Sequence, residues 1–365
     1  MAPQPLTTVL MPVYNGELFV RDAIASILHQ TYREFELLII DDGSTDGTPN
    51  ILSDHQQRDS RIVVHRQDNQ GLIATLNRGL SIARGTFIAR MDADDIALPR
   101  RLAKQVAFLS KRPDVGILGT AYWLIEESGR HIDLKRFPAS DLHIRWANLL
   151  APAFGHPTVM VRRDLLVNHK LRYDPAFPDV EDYELWRQVL RHSRGANLGD
   201  ALLERRDHPG SISNRHREAQ LLSNDRLARQ AIAEELPGFP VSLELVSGMR
   251  RLFVGRGPHE DREEEDRVAL GNTYLDMLGG WISNHRGEPG IATIARRESA
   301  RVAAVSVFHR SQGERVRLFR RLLKGNPLLP LDLAAGYTRA LGKRFSLRVT
   351  KPMSRLLRSS GSSGR

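Results

Sequence analysis

Residues 8–91 alternate short apolar runs with stretches of helical spacing, and this rhythm constrains the chain more than any other feature. Thr8–Met11, Phe35–Ile40, Arg61–His65 and Thr86–Met91 read as strands. Phe19–Gln30, the stretch after Asp46, and Leu72–Ala83 read as the helices between them. Strands that are apolar nearly throughout, rather than at every second position, are covered on both faces. The chain is therefore expected to fold as an α/β protein with a mostly parallel central sheet flanked by helices. In such a sheet ligands bind beyond the carboxyl ends of the strands. Asp41-Asp42 and Asp92-Ala93-Asp94-Asp95 both stand at such ends, so they are expected to face one site.

Three carboxylates within four residues repel one another unless something positive sits among them. A divalent cation, Mn²⁺ or Mg²⁺, holding a diphosphate meets that need, because hard cations prefer carboxylate oxygens. A solvated acidic turn or a helix N-terminus is the other reading of the same residues. Asp41-Asp42-Gly43-Ser44-Thr45-Asp46-Gly47-Thr48 is similarly double. Its glycines permit close backbone approach to a ligand, yet a capped turn accounts for it too.

The 365 residues allow two domains, or one with an extension. The absence of cysteine excludes disulfides, thiolate metal sites and cysteine nucleophiles, and fits a reducing cytoplasm. No leader is evident, and no window offers an uninterrupted apolar stretch of about 18 residues. The net charge of +10 is concentrated in residues 315–365, which hold 13 Lys and Arg against the single acid Asp332. The remaining residues are nearly balanced, which argues against nucleic acid as a partner of the main domain. Pro237, Gly238 and Pro240 mark a boundary, and beyond it the pattern is helical over roughly 263–279 and 290–324. The expected organisation is a main domain over 1–236, divided near residue 100 into two parts. A linker over 237–262, a basic helical region over 263–358 and a disordered Ser/Gly tail over 359–365 follow.

The ordered set Pro12-Val13-Tyr14-Asn15, Asp41 to Thr48, Asn69-Gln70-Gly71-Leu72 and Asp92-Ala93-Asp94-Asp95 resembles the inverting family-2 glycosyltransferases, whose catalytic domain has the glycosyltransferase A-type fold. The resemblance covers residues 6 to about 215, and it implies that the 1–236 domain is catalytic, with nucleotide-sugar binding in 1–100 and the acceptor side in 101–236. It implies a nucleoside-diphosphate sugar donor, with Pro12, Tyr14, Asp41, Asp42 and Asn69 on the donor side. Tyr14 would lie against the base, and Asp42 would accept from it, as carboxylates do in uridine-binding members. Asp94 would bind the metal, with Asp92 and His208 beside it. Asp92 and Asp95 would meet the donor's hydroxyls or the metal's waters.

The resemblance also implies an acidic pair on the acceptor side, and Asp179-Val180-Glu181-Asp182 fits that place. Asp182 would be the base that deprotonates the acceptor hydroxyl, with Glu181 and His156 shaping the acceptor side. The spacing of Asp179 and Asp182 equally suits a helix-capping box. The acceptor would be a glycan or a lipid-linked species in cell-surface polysaccharide or glycolipid assembly. Two other functions fit parts of the pattern: a nucleotidyltransferase that makes the sugar nucleotide, and a non-catalytic nucleotide-sugar or glycan-binding protein. The first lacks the basic glycine-rich loop that a triphosphate needs. In Glu314–Lys324 an apolar face formed by Val316, Phe319 and Leu323 is flanked by basic residues, which suits an anionic membrane surface along 315–358. That would place the protein in the cytoplasm, peripherally on the inner face of the cell membrane.

Overall fold

The computed structural model describes residues 6–211, 217–254 and 264–306, with side chains defined at all of these except 264–268 and 303–306. Strands β1 (Thr7–Val13), β2 (Phe35–Asp41), β3 (Ile62–Arg66) and β4 (Phe87–Arg90) are all parallel, in the spatial order β3-β2-β1-β4. Helices α1 (Val20–Leu28), α2 (Thr48–Arg58) and α3 (Leu72–Ile82) link them, as the apolar spacing predicts. β1 and β2 are buried at every residue, which is why neither shows polar alternation.

Beyond β4 the sheet becomes mixed. The two-residue β5 (Ile96–Ala97) and helix α4 (Arg101–Lys111) lead into the long β6 (Val115–Glu126). A hairpin adds the exposed β7 (His131–Lys135), and then come α5 (Asp141–Ala147), β8 (Met160–Arg162), α6 (Arg163–Asn168), α7 (Glu181–His192) and β9 (Arg194–Asp207). β8 lies antiparallel between β4 and β6, while β9 runs parallel to β6 and carries β5 on its far edge. The register between β6 and β9 shifts at several points, and such irregularity re-aims side chains at a sheet's rim.

Two apolar layers clasp the sheet. Val9, Met11, Leu37 and Ile39 point to one face and pack with Ile24 and Ile27 of α1, Leu52 of α2 and Leu102 and Val106 of α4. Leu10, Leu38, Ile40 and Ile88 point to the other and meet Leu76 of α3, Leu166 of α6 and Trp186 and Val189 of α7. Each fully buried side chain of this size contributes about 1.5–3 kcal/mol to the layer it joins. With helices holding both faces, the open end of the sheet is where β1, β2 and β4 finish.

The chain divides into two compact units between Val246 and Ser247, inside a helix at Leu243–Met249. In the first unit, after β9, helix α8 (Arg217–Glu235) follows; α9 is the Leu243–Met249 helix, so part of the stretch expected as linker is helical. The second unit contains a π-helical turn at Arg250–Val254, then α10 (Glu264–Asn284) and α11 (Ile291–Ser306). Phe253 packs on Tyr274 with ring centroids 4.3 Å apart. The Tyr274 hydroxyl donates to the fully buried Glu298 at 2.7 Å, and Arg301 donates to the same carboxylate at 2.9 Å. The basic helix expected over 314–324 and the tail over 359–365 lie outside the described residues.

Candidate active site

The loops leaving β1 and β2 are joined by hydrogen bonds between side chains and backbone. Asn15 N–H donates to Ser44 Oγ at 2.9 Å, Thr45 N–H to Asn15 Oδ1 at 2.8 Å, and Gly16 N–H to Thr48 Oγ1 at 2.9 Å. Asp41 accepts from Ser44 N–H at 3.0 Å and faces Arg66 at 3.6 Å. Asp42 is buried and accepts three hydrogen bonds, from the Gln67 amide at 2.7 Å and from the backbone N–H groups of Gln70 and Gly71 at 2.9 Å each. The carboxylate expected to meet a base thus also anchors the loop that precedes α3. Gly43 sits at φ +78°, and a Cβ there would stand 2.8 Å from the Asn69 nitrogen, so only glycine lets the two loops touch. Tyr14 is 53 % exposed and free to stack, and Asn69 is exposed in the loop that precedes α3.

Pro12 is buried in β1. Val13 O accepts from Asp42 N–H on the β2 side, while Leu10 O accepts from Met91 N–H on the β4 side. Strand alternation therefore turns the Pro12 nitrogen toward β4, past the last paired residue, Arg90. A proline costs no ladder bond there, and it marks where the sheet opens.

Asp92, Asp94 and Asp95 each offer an oxygen within 4.8 Å of the others. Asp92 forms an ion pair with the buried Arg90. Asp94 Oδ2 lies 2.9 Å from His208 Nε2, whose ring packs on Phe19 at 5.0 Å. Asp95 is 1 % exposed and accepts from Arg206 N–H at 3.0 Å, so the carboxylate expected at the donor's hydroxyls lies under the cluster and ties it to β9. Arg206 reaches the Asp94 carbonyl at 3.1 Å and lies over the Phe19 ring at 4.7 Å. Burial first, and then the Asp92 charge, pushes Asp94 above the ordinary carboxylate range. Burial together with Asp94 and Asp92 pushes Asp95 well above it.

These residues fit a hard divalent cation. Their donors are all oxygens, their mutual repulsion would be relieved by positive charge, and Asp95 Oδ2 is buried with no hydrogen-bond donor among the described residues. The close group of three does not extend to His208, which joins it through Asp94.

The residues expected on the acceptor side come from two further elements. A 3-10 turn at His156–Thr158 follows Gly155, and the N-terminus of α7 presents Glu181 and Asp182. No capping box forms: the N-cap is Val180, and no side chain caps the helix. Asp179 instead adopts φ +67°, and its carbonyl accepts from Gln220 at 3.1 Å. Asp182 Oδ1 accepts from Tyr183 N–H at 2.7 Å, and Oδ2 lies 3.9 Å from His156 Nδ1. His156 Nε2 is 2.9 Å from the Tyr173 hydroxyl. Burial, helped by the Arg90 and Arg205 charges, holds His156 well below its ordinary value, so it is neutral at pH 7. Burial and the neighbouring Asp182 carboxylate push Glu181 up to about 7.

Arg90 links the two sides. It pairs with Asp92, and its field acts on Glu181, Tyr173 and His156. Burial disfavours its charge, but Asp92, Tyr173 and Asp95 hold it protonated. Its Nε has no hydrogen-bond acceptor among the described residues. Arg205 joins from β9, hydrogen-bonded to Tyr122 and close to Asp95 and Asp92. Arg90, Tyr173, Arg205 and Arg206 were not singled out from sequence. Arg90 could have been, because a charged residue in an otherwise apolar strand and two residues before an acidic cluster needs a partner.

A model of the family described as glycosyl transferase family 2 matches residues 8–169, which include the loops after β1, β2 and β3, the acidic cluster and His156. An uncharacterised glycosyltransferase of Haemophilus influenzae is 31% identical over 262 residues, spanning 68% of this chain and 80% of the relative. The O-antigen biosynthesis glycosyltransferase WbnJ of Escherichia coli is 32% identical over 210 residues, spanning 56% of this chain and 80% of the relative. Among solved structures, S. aureus TarS 1-349 in complex with UDP-GlcNAc has the same fold, with a TM-score of 0.54 at 18% identity over 87% of this chain and 90% of that one. A sheet that opens beside an Asp-X-Asp cluster, and relatives matched over most of their own length, lead to one conclusion: the chain belongs to glycosyl transferase family 2 and has the glycosyltransferase A-type fold.

Proposed function

We propose that this glycosyltransferase moves a sugar from a UDP-linked donor to a hydroxyl of a glycan or lipid-linked acceptor, with inversion at the anomeric carbon. The observation that carries this reading is the pairing of Arg90 with Asp92, because the same buried guanidinium acts on Glu181 and His156. Donor-side and acceptor-side acids thereby share one electrostatic environment. Tyr14 stacks on the base, and the Asn69 loop, fixed by Asp42, closes around the nucleoside. Asp92 and Asp94 hold Mn²⁺ or Mg²⁺, which when bound offsets the charge of the leaving diphosphate. Asp182 takes the proton of the acceptor hydroxyl as that oxygen bonds to the anomeric carbon. The bond from the anomeric carbon to the diphosphate breaks on the opposite side, and a single displacement of this kind inverts the centre.

The relative named for O-antigen biosynthesis supports a cell-surface polysaccharide or glycolipid as the product. The basic segment 315–358 supports docking on an anionic membrane surface, where a lipid-linked acceptor would be met. Replacing Asp182 tests the chemistry. Asp182→Asn is expected to lower transfer by about 10²–10⁴-fold while leaving the affinity for the nucleotide sugar unchanged. A variant that transfers at the parent rate would remove Asp182 as the base.

A further inference from the structure

The Tyr173 hydroxyl and His156 Nε2 are 2.9 Å apart inside the fold, and their arrangement fixes the histidine's chemistry. Burial and the nearby Asp182 and Glu181 carboxylates hold the phenol protonated, and its hydrogen-bond partner among the described residues is Nε2. A phenolic O–H left without an acceptor in a buried site is costly, so it donates to Nε2. A neutral imidazole that accepts at Nε2 carries its proton on Nδ1. Nδ1 is the ring nitrogen nearer Asp182, 3.9 Å from its Oδ2. The separation is too long for a direct hydrogen bond, but one oxygen about 2.8 Å from each fills it.

Tyr173 itself is held from a distance. The Asn77 side chain donates to the Tyr173 carbonyl at 2.7 Å and accepts from its N–H at 2.9 Å, clamping this backbone to α3. The same helix begins at the Gly71 loop that Asp42 secures. Trp186 meets both rings edge-on, with centroids 6.0 Å from His156 and 6.1 Å from Tyr173.

We propose that the acceptor hydroxyl is received between His156 Nδ1 and Asp182 Oδ2, and that Asn77 and Tyr173 are positioning residues that set His156 as the Nδ1–H tautomer. The hydroxyl oxygen accepts from Nδ1–H and presents its own proton to Asp182. One lone pair then remains for the anomeric carbon. This rests on the transferase reading above and adds to it the donor that orients the attacking oxygen.

The test has two arms, both on the full chain. In the first, ring nitrogens of ¹⁵N-histidine-labelled protein are followed by NMR from pH 5.5 to 8, with the His156 signals assigned by their loss in His156→Asn. The parent is expected to show a neutral His156 with a protonated Nδ1, and Tyr173→Phe to lose that tautomer and gain a proton at a higher pH. The groups that act on this titration are Arg90 from β4, Arg205 from β9, and Glu181 and Asp182 from α7. A parent His156 protonated at Nε2 overturns the proposal.

In the second arm, water stands in for the acceptor, and hydrolysis of UDP-glucose and UDP-N-acetylglucosamine is measured with Mn²⁺. An asparagine amide at position 156 takes the place of Nδ1, whereas a glutamine amide takes the place of Nε2. His156→Gln is therefore expected to lower kcat about tenfold, the worth of one hydrogen bond, while His156→Asn stays nearer the parent and the donor KM is unchanged in both. A glutamine variant as active as the asparagine variant overturns the placement of the hydroxyl. If the parent neither binds nor hydrolyses these donors while the tautomer is as expected, the donor assignment is at fault, and the hydroxyl's placement falls with it.

Discussion

Glu181 is the residue whose environment makes the sharpest statement about pH. It is 8 % exposed at the start of α7, and burial together with Asp182 raises its carboxyl from 4.5 to about 7. The folded protein therefore holds this proton where the unfolded chain has released it. Its contribution to stability is fully present below 4.5 and is lost as pH rises through about 7. The contribution amounts to at most roughly 3 kcal/mol. Urea midpoints of the metal-free protein are expected to fall over that window, and Glu181→Gln is expected to flatten the dependence. An unchanged slope in the variant would assign the effect elsewhere. The same scale shows what sequence alone withholds. Asp92, Asp94, Asp182 and His156 announce themselves by type and order. Arg90, Arg205, Tyr173 and Asn77 matter through partners distant in the chain, such as the Asn77–Tyr173 clamp across 96 residues.

At the level of elements, the first four strands and three helices were legible because each carries its own signal. Strands without polar alternation point to a sheet covered on both faces, and the helices show one apolar stripe. The later strands were not legible. β6 and β9 are long and shift register against each other, and β8 has three residues that pair antiparallel with β4. Those choices are made by tertiary packing, so no local period records them. The loops after β2 and β3 come into close contact at Gly43, and this gives an element-scale prediction. Gly43→Ala forces a side chain to φ +78° and places a Cβ 2.8 Å from the Asn69 nitrogen. Stability is expected to fall by about 1–3 kcal/mol, with a matching loss of nucleotide binding if these loops hold the nucleoside as proposed. A thermal melt and a UDP titration check it; a variant with unchanged binding would separate these loops from the donor site.

Across the whole molecule, charge and fold are divided. The first unit holds the sheet and all the candidate site residues, while the excess positive charge lies in residues 315–365, outside the described residues. No helix among the described residues is long and apolar enough to cross a membrane. The expected consequence is that the full chain sediments with vesicles containing anionic lipid, and does so less as salt rises, while a chain ending at residue 314 stays in solution. Equal sedimentation of the two would remove the tail from that role. Donor binding is measured by thermal stabilisation across nucleotides and nucleotide sugars, each with and without Mn²⁺. A ligand that binds the folded state raises the midpoint. A metal-dependent rise is expected with UDP and with at least one UDP-sugar, abolished in Asp94→Asn. A rise with GDP or TDP compounds instead would keep the chemistry and change the donor. No rise with any of them would contradict the account, leaving the acidic cluster as a buried structural knot.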